Sequence, residues 1–449
     1  METQNNQVDF IKSIFQSTTA KMIMVGFLTL VLLIPLEFVK DLIRERSQRK
    51  QEVVNEVSNL WGSDVYIYGP ILKVPYQSYE VSNITNPKTG VTTVQKKIYI
   101  QNAYFFPEDL NAKTFAKKNT SLKRGIYNNV VFTANMNIKG QFTKLNIEKL
   151  NLKSEDLLWN QASIIVKTTN LKSIKSDLKM NANGKILSFE SKSDEDNFYG
   201  TLETDKFDYT QLVKNQNIDF NFTMQYNGSN SIKFVPIGKT TKVSIDSDWN
   251  SPSLEGAFAA NDTTKIINDK GFHADWKVLD INRAFSQQHL EKLPSLNEFS
   301  FGAKLIETVD EYQQNERASK YGFLVIGLTF LVFFLIQSFS KINIHIFQYT
   351  MIGLALIMFY TLLISITEHS SFTLAYIVAG TAVVVMIGLY SKSILNSKFS
   401  GFISASLLAL NTFIYVIIQL ESYALLVGSI GLFAILGAVM YFSRKIEWK

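Results

Sequence analysis

The chain has 449 residues, 46% of them hydrophobic and 13% aromatic, and a formal net charge of +6. Its basic residues are scattered rather than interleaved with aromatics, which excludes nucleic acid as a partner; a mild basic excess suits a protein resting on an anionic membrane. Cys is absent, so no disulfide braces any part of the chain and zinc has no thiolate to draw on.

Six apolar stretches are each long enough to cross a bilayer whose hydrocarbon core is about 30 Å thick, at about 1.5 Å per helical residue. They lie near 22–39, 321–339, 346–366, 372–390, 401–420 and 423–442. The first is followed by no small-residue cleavage pattern after Phe38 and Val39, so it reads as an uncleaved anchor rather than a signal peptide. An even number of spans puts both termini on one side. Lys and Arg in short loops fix which side. Lys341, Lys392, Lys398, Arg444, Lys445 and Lys449 fall with the termini, whereas the breaks at Glu368 and Glu421 carry no basic residue. Lys40, Arg44, Arg46, Arg49 and Lys50 after the first span oppose this, yet long segments translocate largely regardless of charge. The expected topology has residues 1–21 and the tail 443–449 in the cytoplasm and residues 40–320 outside.

The outer segment opens helically over 41–61, where Val53, Val57 and Trp61 recur at helical spacing. Beyond Gly62 the pattern changes to β-branched and aromatic runs between turn residues, at 65–74, 97–105, 129–138, 163–169, 186–191, 220–226, 231–235 and 241–246. Strands at this spacing predict a sandwich-like or barrel-like β domain, as one body or two subdomains. Residues 284–293, ending before Pro294, read as a short helix. The fold class is thus an α+β membrane protein, with one N-terminal and five C-terminal transmembrane helices and a large β-rich extracytoplasmic insertion.

A long ordered series of short segments carries a family resemblance. It runs through Trp61-Gly62, Gly69-Pro70, Arg124-Gly125-Ile126-Tyr127, Trp159, Pro236-Ile237-Gly238, Ser247-Asp248-Trp249, Gly271-Phe272-His273-Ala274-Asp275-Trp276 and Asn282-Arg283. At the membrane it continues in Asp310, Tyr312, Arg317, Lys320, Tyr321, His345, Gln348-Tyr349, Gly353-Leu354-Ala355-Leu356, Phe359-Tyr360, Glu368-His369, Ala375-Tyr376 and Tyr423-Ala424-Leu425-Leu426-Val427-Gly428. In these residues the chain resembles the CreD-like inner-membrane proteins of bacteria, although Thr308 and Ile346 stand where that pattern has Pro. The resemblance implies a place in the inner membrane and a part in cell-envelope integrity and stress or β-lactam response. It implies no reaction and no cofactor.

Enzymatic readings find little support in the residues themselves. The sequence contains no G-x-S-x-G, H-E-x-x-H or P-loop pattern. Of its four His residues, His345 and His369 flank one span and stand roughly 36 Å apart, so they cannot share a metal. His273, His289 and His369 with Glu368 form a conceivable ligand set that no spacing demands.

Polar residues at the membrane edges are the stronger candidates. His345, Gln348 and Tyr349 fall at i, i+3 and i+4 at the cytoplasmic boundary, a spacing that serves either a site or interfacial anchoring and interhelical hydrogen bonds. Glu368, His369 and Glu421 lie at the outer boundary, where Arg44 and Arg46 on one side and Arg317 and Lys320 on the other form basic roots of the insertion. Ion pairs between these groups are the expected joint of outer domain and bundle. Within the spans Gly401, Ala405 and Ala409, and Ala375 and Ala379, form small faces for close helix approach, and no Asp, Lys or Arg marks an ion pathway. The expectation is a non-enzymatic envelope protein embedded in the lipid bilayer, whose outer domain binds or senses a cell-wall component or another envelope protein. The alternatives are a transporter of a small molecule or lipid, which would need a polar cavity at mid-membrane depth, and a hydrolase built at Glu368 and His369.

Overall fold

The computed structural model describes residues 18–85, 92–124, 127–193, 198–305, 311–340, 342–420 and 423–444. Glu421 lies outside these residues, as do Gly125, Ile126, Thr308, Asp310, Lys341, Lys445 and Lys449. The chain forms two compact units, Met1–Glu52 with Val309–Lys449, and Val53–Thr308.

The helices in chain order are α1 (Thr18–Trp61), α2 (Tyr209–Leu212), α3 (Glu311–Lys320), α4 (Gly322–Ser340), α5 (Ile346–Thr367), α6 (Phe372–Ile394), α7 (Ser397–Gln419) and α8 (Ala424–Ser443). Six of them, α1 and α4 to α8, are long and apolar enough to span a membrane. α1 continues without a break from its apolar half into the amphipathic stretch that ends at Trp61.

In the membrane unit α1 docks through Leu28, Leu32 and Leu36, which recur every four residues on one face and are buried. Two glycines receive them. A Cβ on Gly353 would stand 2.2 Å from Leu32, and one on Gly322 would stand 2.8 Å from Leu36. Without hydrophobic drive between helices in lipid, such close seating supplies the packing. The small face of α6 is buried too: Ala375 and Ala379 belong to the same apolar cluster as Phe359 and Tyr360 of α5, and a Cβ on the neighbouring Gly380 would stand 3.8 Å from Phe359. The Gly401, Ala405 and Ala409 stripe of α7 behaves differently: all three are exposed, and a Cβ on Gly401 would meet nothing. Spacing alone does not say whether a small face has a neighbour.

The other unit is the inserted β domain. Its first eight strands are β1 (Val65–Thr85), β2 (Thr92–Phe105), β3 (Asp109–Arg124), β4 (Tyr127–Phe142), β5 (Ser163–Thr168), β6 (Lys179–Ala182), β7 (Lys185–Lys192) and β8 (Gly200–Thr204). The rest are β9 (Ile218–Gly228), β10 (Ser231–Phe234), β11 (Thr240–Ser247), β12 (Pro252–Gly256), β13 (Ile266–Asn268), β14 (Gly271–Leu279), β15 (Gln288–Leu290) and β16 (Phe301–Leu305). Their hydrogen-bonded order is β12-β16-β10-β1-β5-β8-β7-β6-β9-β4-β3-β11-β14-β13, with β2 on β1 and β15 on β2. β7 joins β8 to β6 and so carries the path from one half of this near-barrel to the other. Both halves face one continuous core, with Ile71 and Val166 from one and Phe222 and Trp276 from the other.

Alternation sets which side faces in. Ile218, Phe220, Phe222, Met224 and Tyr226 of β9 are buried, and Asp219, Asn221 and Thr223 between them are exposed. β3 escapes the sequence reading because its inward residues, Leu110, Ala112, Thr114 and Ala116, are mostly small and lie among lysines. β14 escapes it as well, although Phe272, Ala274, Trp276 and Val278 alternate inward. Gly271 starts that strand at φ 142°, where any Cβ would lie 2.0 Å from the Ser247 carbonyl.

The helix expected over 284–293 is absent. That segment instead adds β15 to the edge of β2, and Glu291 turns the chain with a positive φ of 62°. Tertiary contacts decide it. Phe285 packs edge-on against Phe106 and Phe299, and Arg283 is drawn inward to the carbonyls of Phe285, Ile237 and Gly238 at 3.1 to 3.3 Å. Burial pushes this guanidinium down to about 10, so it remains charged at neutral pH.

Candidate functional site

At the outer boundary of the membrane unit, Arg46 Nε on α1 stands 3.6 Å from Glu368 Oε1 at the end of α5, too far for a hydrogen bond but within ion-pair range. Glu368 is largely buried there and Arg46 is half-exposed. The other basic roots turn to their own helices: Arg44 meets Asp41 at 3.0 Å and Glu37 at 3.4 Å, and Lys320 meets Glu316 at 3.2 Å. Arg317 sits in the last turn of α3. His369 is exposed just past α5.

At the other end of α5 the sequence trio separates into two local tasks. His345 is the N-cap: the Phe347 N–H donates to its Nδ1 at 3.2 Å, and Gln348 accepts from the His345 N–H at 2.9 Å. Tyr349 points inward, buried between helices, and its hydroxyl donates to Gln337 of α4 at 2.8 Å.

In the β domain, His273 Nδ1 lies 2.7 Å from Asp246 and its Nε2 3.6 Å from Asp275, while His289 Nε2 meets the Ser286 carbonyl at 3.0 Å. Among the described residues no group of three or more His, Asp or Glu is arranged to hold a metal ion. His273 and His289 have these hydrogen-bond partners within the β domain itself.

A different feature of the β domain stands out, and the sequence reading missed it. β1 was expected to end near residue 74, but it runs to Thr85 and pairs with β2 as a two-stranded ribbon. Directly opposed residues of an antiparallel pair share a face, and here the two faces differ in chemistry. One face carries Tyr79 opposite Ile98, Val81 opposite Lys96, Asn83 opposite Val94 and Gln77 opposite Ile100. The other carries Ser78 opposite Tyr99, Glu80 opposite Lys97 and Ser82 opposite Gln95, with the Tyr99 hydroxyl donating to Glu80 at 2.9 Å. On the apolar face Val81, Val94, Ile98 and Ile100 are 56 to 68% exposed. Lys96 lies over the Tyr79 ring at 3.4 Å, and the Tyr79 hydroxyl ties the ribbon to Asp156 at 2.9 Å. The period-2 apolar signal was present in Ile98 and Ile100, but alternation alone does not distinguish a face turned to a core from one left open.

A concavity of about 510 Å³ lies where Trp159 stacks on Tyr209 at 5.0 Å, rimmed by Lys144, Asn146 and Glu148. Burial pushes the Tyr209 hydroxyl up to about 12.

A sequence profile of the family described as "Inner membrane protein CreD" matches residues 17–449. The chain belongs to this family. It is 25% identical over 429 residues to the inner membrane protein CreD of Escherichia coli (strain K12), covering 93% of this chain and 91% of that one. It is thus a multi-pass bacterial inner-membrane protein whose β domain is periplasmic. Solved structures give only distant likenesses. A Legionella pneumophila protein described as a candidate nutrient binding protein aligns with 50% of this chain and 73% of its own, at 9% identity and a TM-score of 0.24. The native yeast LTA4 hydrolase aligns with 49% and 35%, at 9% identity and a TM-score of 0.21. Scores this low carry no argument about fold or function.

Proposed function

We propose that this protein is a non-enzymatic member of the envelope-integrity machinery whose periplasmic β domain binds another envelope component through the apolar face of the β1–β2 ribbon. The observation that carries this reading is that open face, where Val81, Val94, Ile98 and Ile100 are exposed together on one side of the ribbon. Exposed apolar area costs about 25 cal/mol per Å² relative to burial, so a partner that covers the face gains in proportion to its area. Ribbons of this kind also offer strand edges to an extended segment of a partner. In the same reading the Arg46–Glu368 pair helps hold α1 against α5, contributing less than about 1 kcal/mol because Arg46 is half-exposed.

The transporter reading needs polar groups at mid-membrane depth, whereas these polar contacts between helices lie towards the helix ends and serve packing: Tyr349 with Gln337 near the cytoplasmic end, and the Tyr376 hydroxyl with the Asn411 carbonyl at 2.9 Å in the outer half. The decisive test is a photo-crosslinking amino acid placed at Ile98 in intact cells, with the same residue at Glu80 on the opposite face as control. A discrete partner captured from position 98 and not from 80 supports binding by the apolar face. Equal capture at the two positions, or none above background at either, removes the proposal.

A further inference from the structure

The membrane unit contains a cavity of about 360 Å³ walled by α4, α7 and α8. Its lining includes Leu328 and Leu335 of α4, Leu410 and Phe413 of α7, and Ile435 and Val439 of α8. The only hydroxyls on the wall are Thr329 and Ser406, and the Thr329 hydroxyl already donates to the Val325 carbonyl at 2.6 Å. On α8 the lining residues Gly431, Ile435 and Val439 recur every four positions and are half-buried, while most of the helix around them is exposed. Beside the cavity α8 is seated on α7 at Gly431, where the Phe413 ring lies 2.1 Å from the position of a Cβ, and more loosely at Gly428, where Ile417 lies 3.7 Å from one.

We infer that this cavity holds one acyl chain of a phospholipid from the cytoplasmic leaflet. Water is a poor occupant, because an ordered water needs two to four polar partners and this wall offers one free hydroxyl. Left empty, the wall would lose the dispersion contacts that hold α8 in place. The surrounding solvent at this depth is hydrocarbon, and a flexible acyl chain conforms to such a space. At about 1.5 Å per residue the lining residues lie roughly 6 to 24 Å from the cytoplasmic ends of their helices. The cavity therefore starts within the cytoplasmic leaflet and reaches past the midplane of a core about 30 Å thick.

The test uses the full chain in vesicles of phosphatidylethanolamine and phosphatidylglycerol, with a photoreactive diazirine at mid-chain in the phosphatidylethanolamine, and maps adducts by mass spectrometry. The expected result is adducts concentrated on Ser406, Leu410 and Ile435 above those on openly lipid-facing Leu389, Leu408 and Phe433. Ala409→Phe, at an exposed position that also lines the cavity, is expected to fill it and abolish that excess, whereas Ala405→Phe, one turn away and outside the lining, keeps it. An even spread of adducts in the wild-type protein overturns the inference, and decides it even if Ala409→Phe does not fold. A second copy of the chain seated over the cavity would shield the lining residues and leave them the least labelled, which also overturns it. Retention of the excess in folded Ala409→Phe protein is equally fatal.

Discussion

Phe433 on α8 and Ile98 on the β1–β2 ribbon are both large, apolar and open, at 79% and 56% exposure. Their situations are physically opposite. Phe433 faces hydrocarbon, where an uncovered ring is already in its preferred solvent and calls for no partner. Ile98 faces water, where the same exposure is a standing cost that only a covering surface removes. Exposure acquires functional meaning only once the solvent is known, and the solvent follows from which unit a residue belongs to. The membrane unit can leave nearly all of α8 bare at no cost, whereas in the β domain a bare apolar face is held against water.

The comparison is broken most directly by introducing one charge in both places. Phe433→Asp at the centre of α8 is expected to cost about 3–4 kcal/mol of membrane insertion, read as the fraction of α8 integrated in a translocation-reporter assay. Ile98→Asp is expected to leave unfolding stability within about 0.5 kcal/mol of wild type in a denaturant titration of the detergent-solubilised protein. Equal penalties at the two positions would mean that the two exposures are of one kind.

A smaller effect sharpens how the membrane unit is held together. Tyr349→Phe keeps the ring and removes only the hydrogen bond to Gln337, so mild-detergent-to-denaturant titration should show a loss of about 0.6–1.7 kcal/mol. A loss several times larger would assign that pair more than helix packing.

The smallest effect belongs to the water-facing unit. Burial holds the His289 imidazole below its ordinary value of 6.5. As pH falls through about 6.5 the unfolded chain therefore takes up this proton before the folded one, and stability declines until the folded imidazole also titrates. Denaturant midpoints measured across that range should fall modestly with pH in wild type and less in His289→Gln. An unchanged slope in the variant would show that another group carries the pH dependence.

Much of this architecture is legible in the chain. The six spans, the outward helical continuation of the first span to Trp61, and the β character of the insertion all follow from apolar length, helical spacing and period-2 alternation, which depend on neighbouring residues alone. The family resemblance was carried by many short segments in order, and the segments around Ile237 and Arg283 do meet in space, joined by the buried guanidinium. The candidate site was less legible. His345, Gln348 and Tyr349 share a spacing, yet the first two cap a helix and the third anchors another, because a cap residue is not yet part of the helical face.

What the sequence determined by itself is therefore which segments belong in lipid and which in water, since local hydrophobicity and its period are properties of the chain. Tertiary structure alone decided which faces remain uncovered. Whether the ribbon is open, whether the α7 small stripe has a neighbour, whether 284–293 coils or pairs, and where a cavity remains between α4, α7 and α8 all depend on surfaces distant in sequence. No window along the chain contains both members of such a contact.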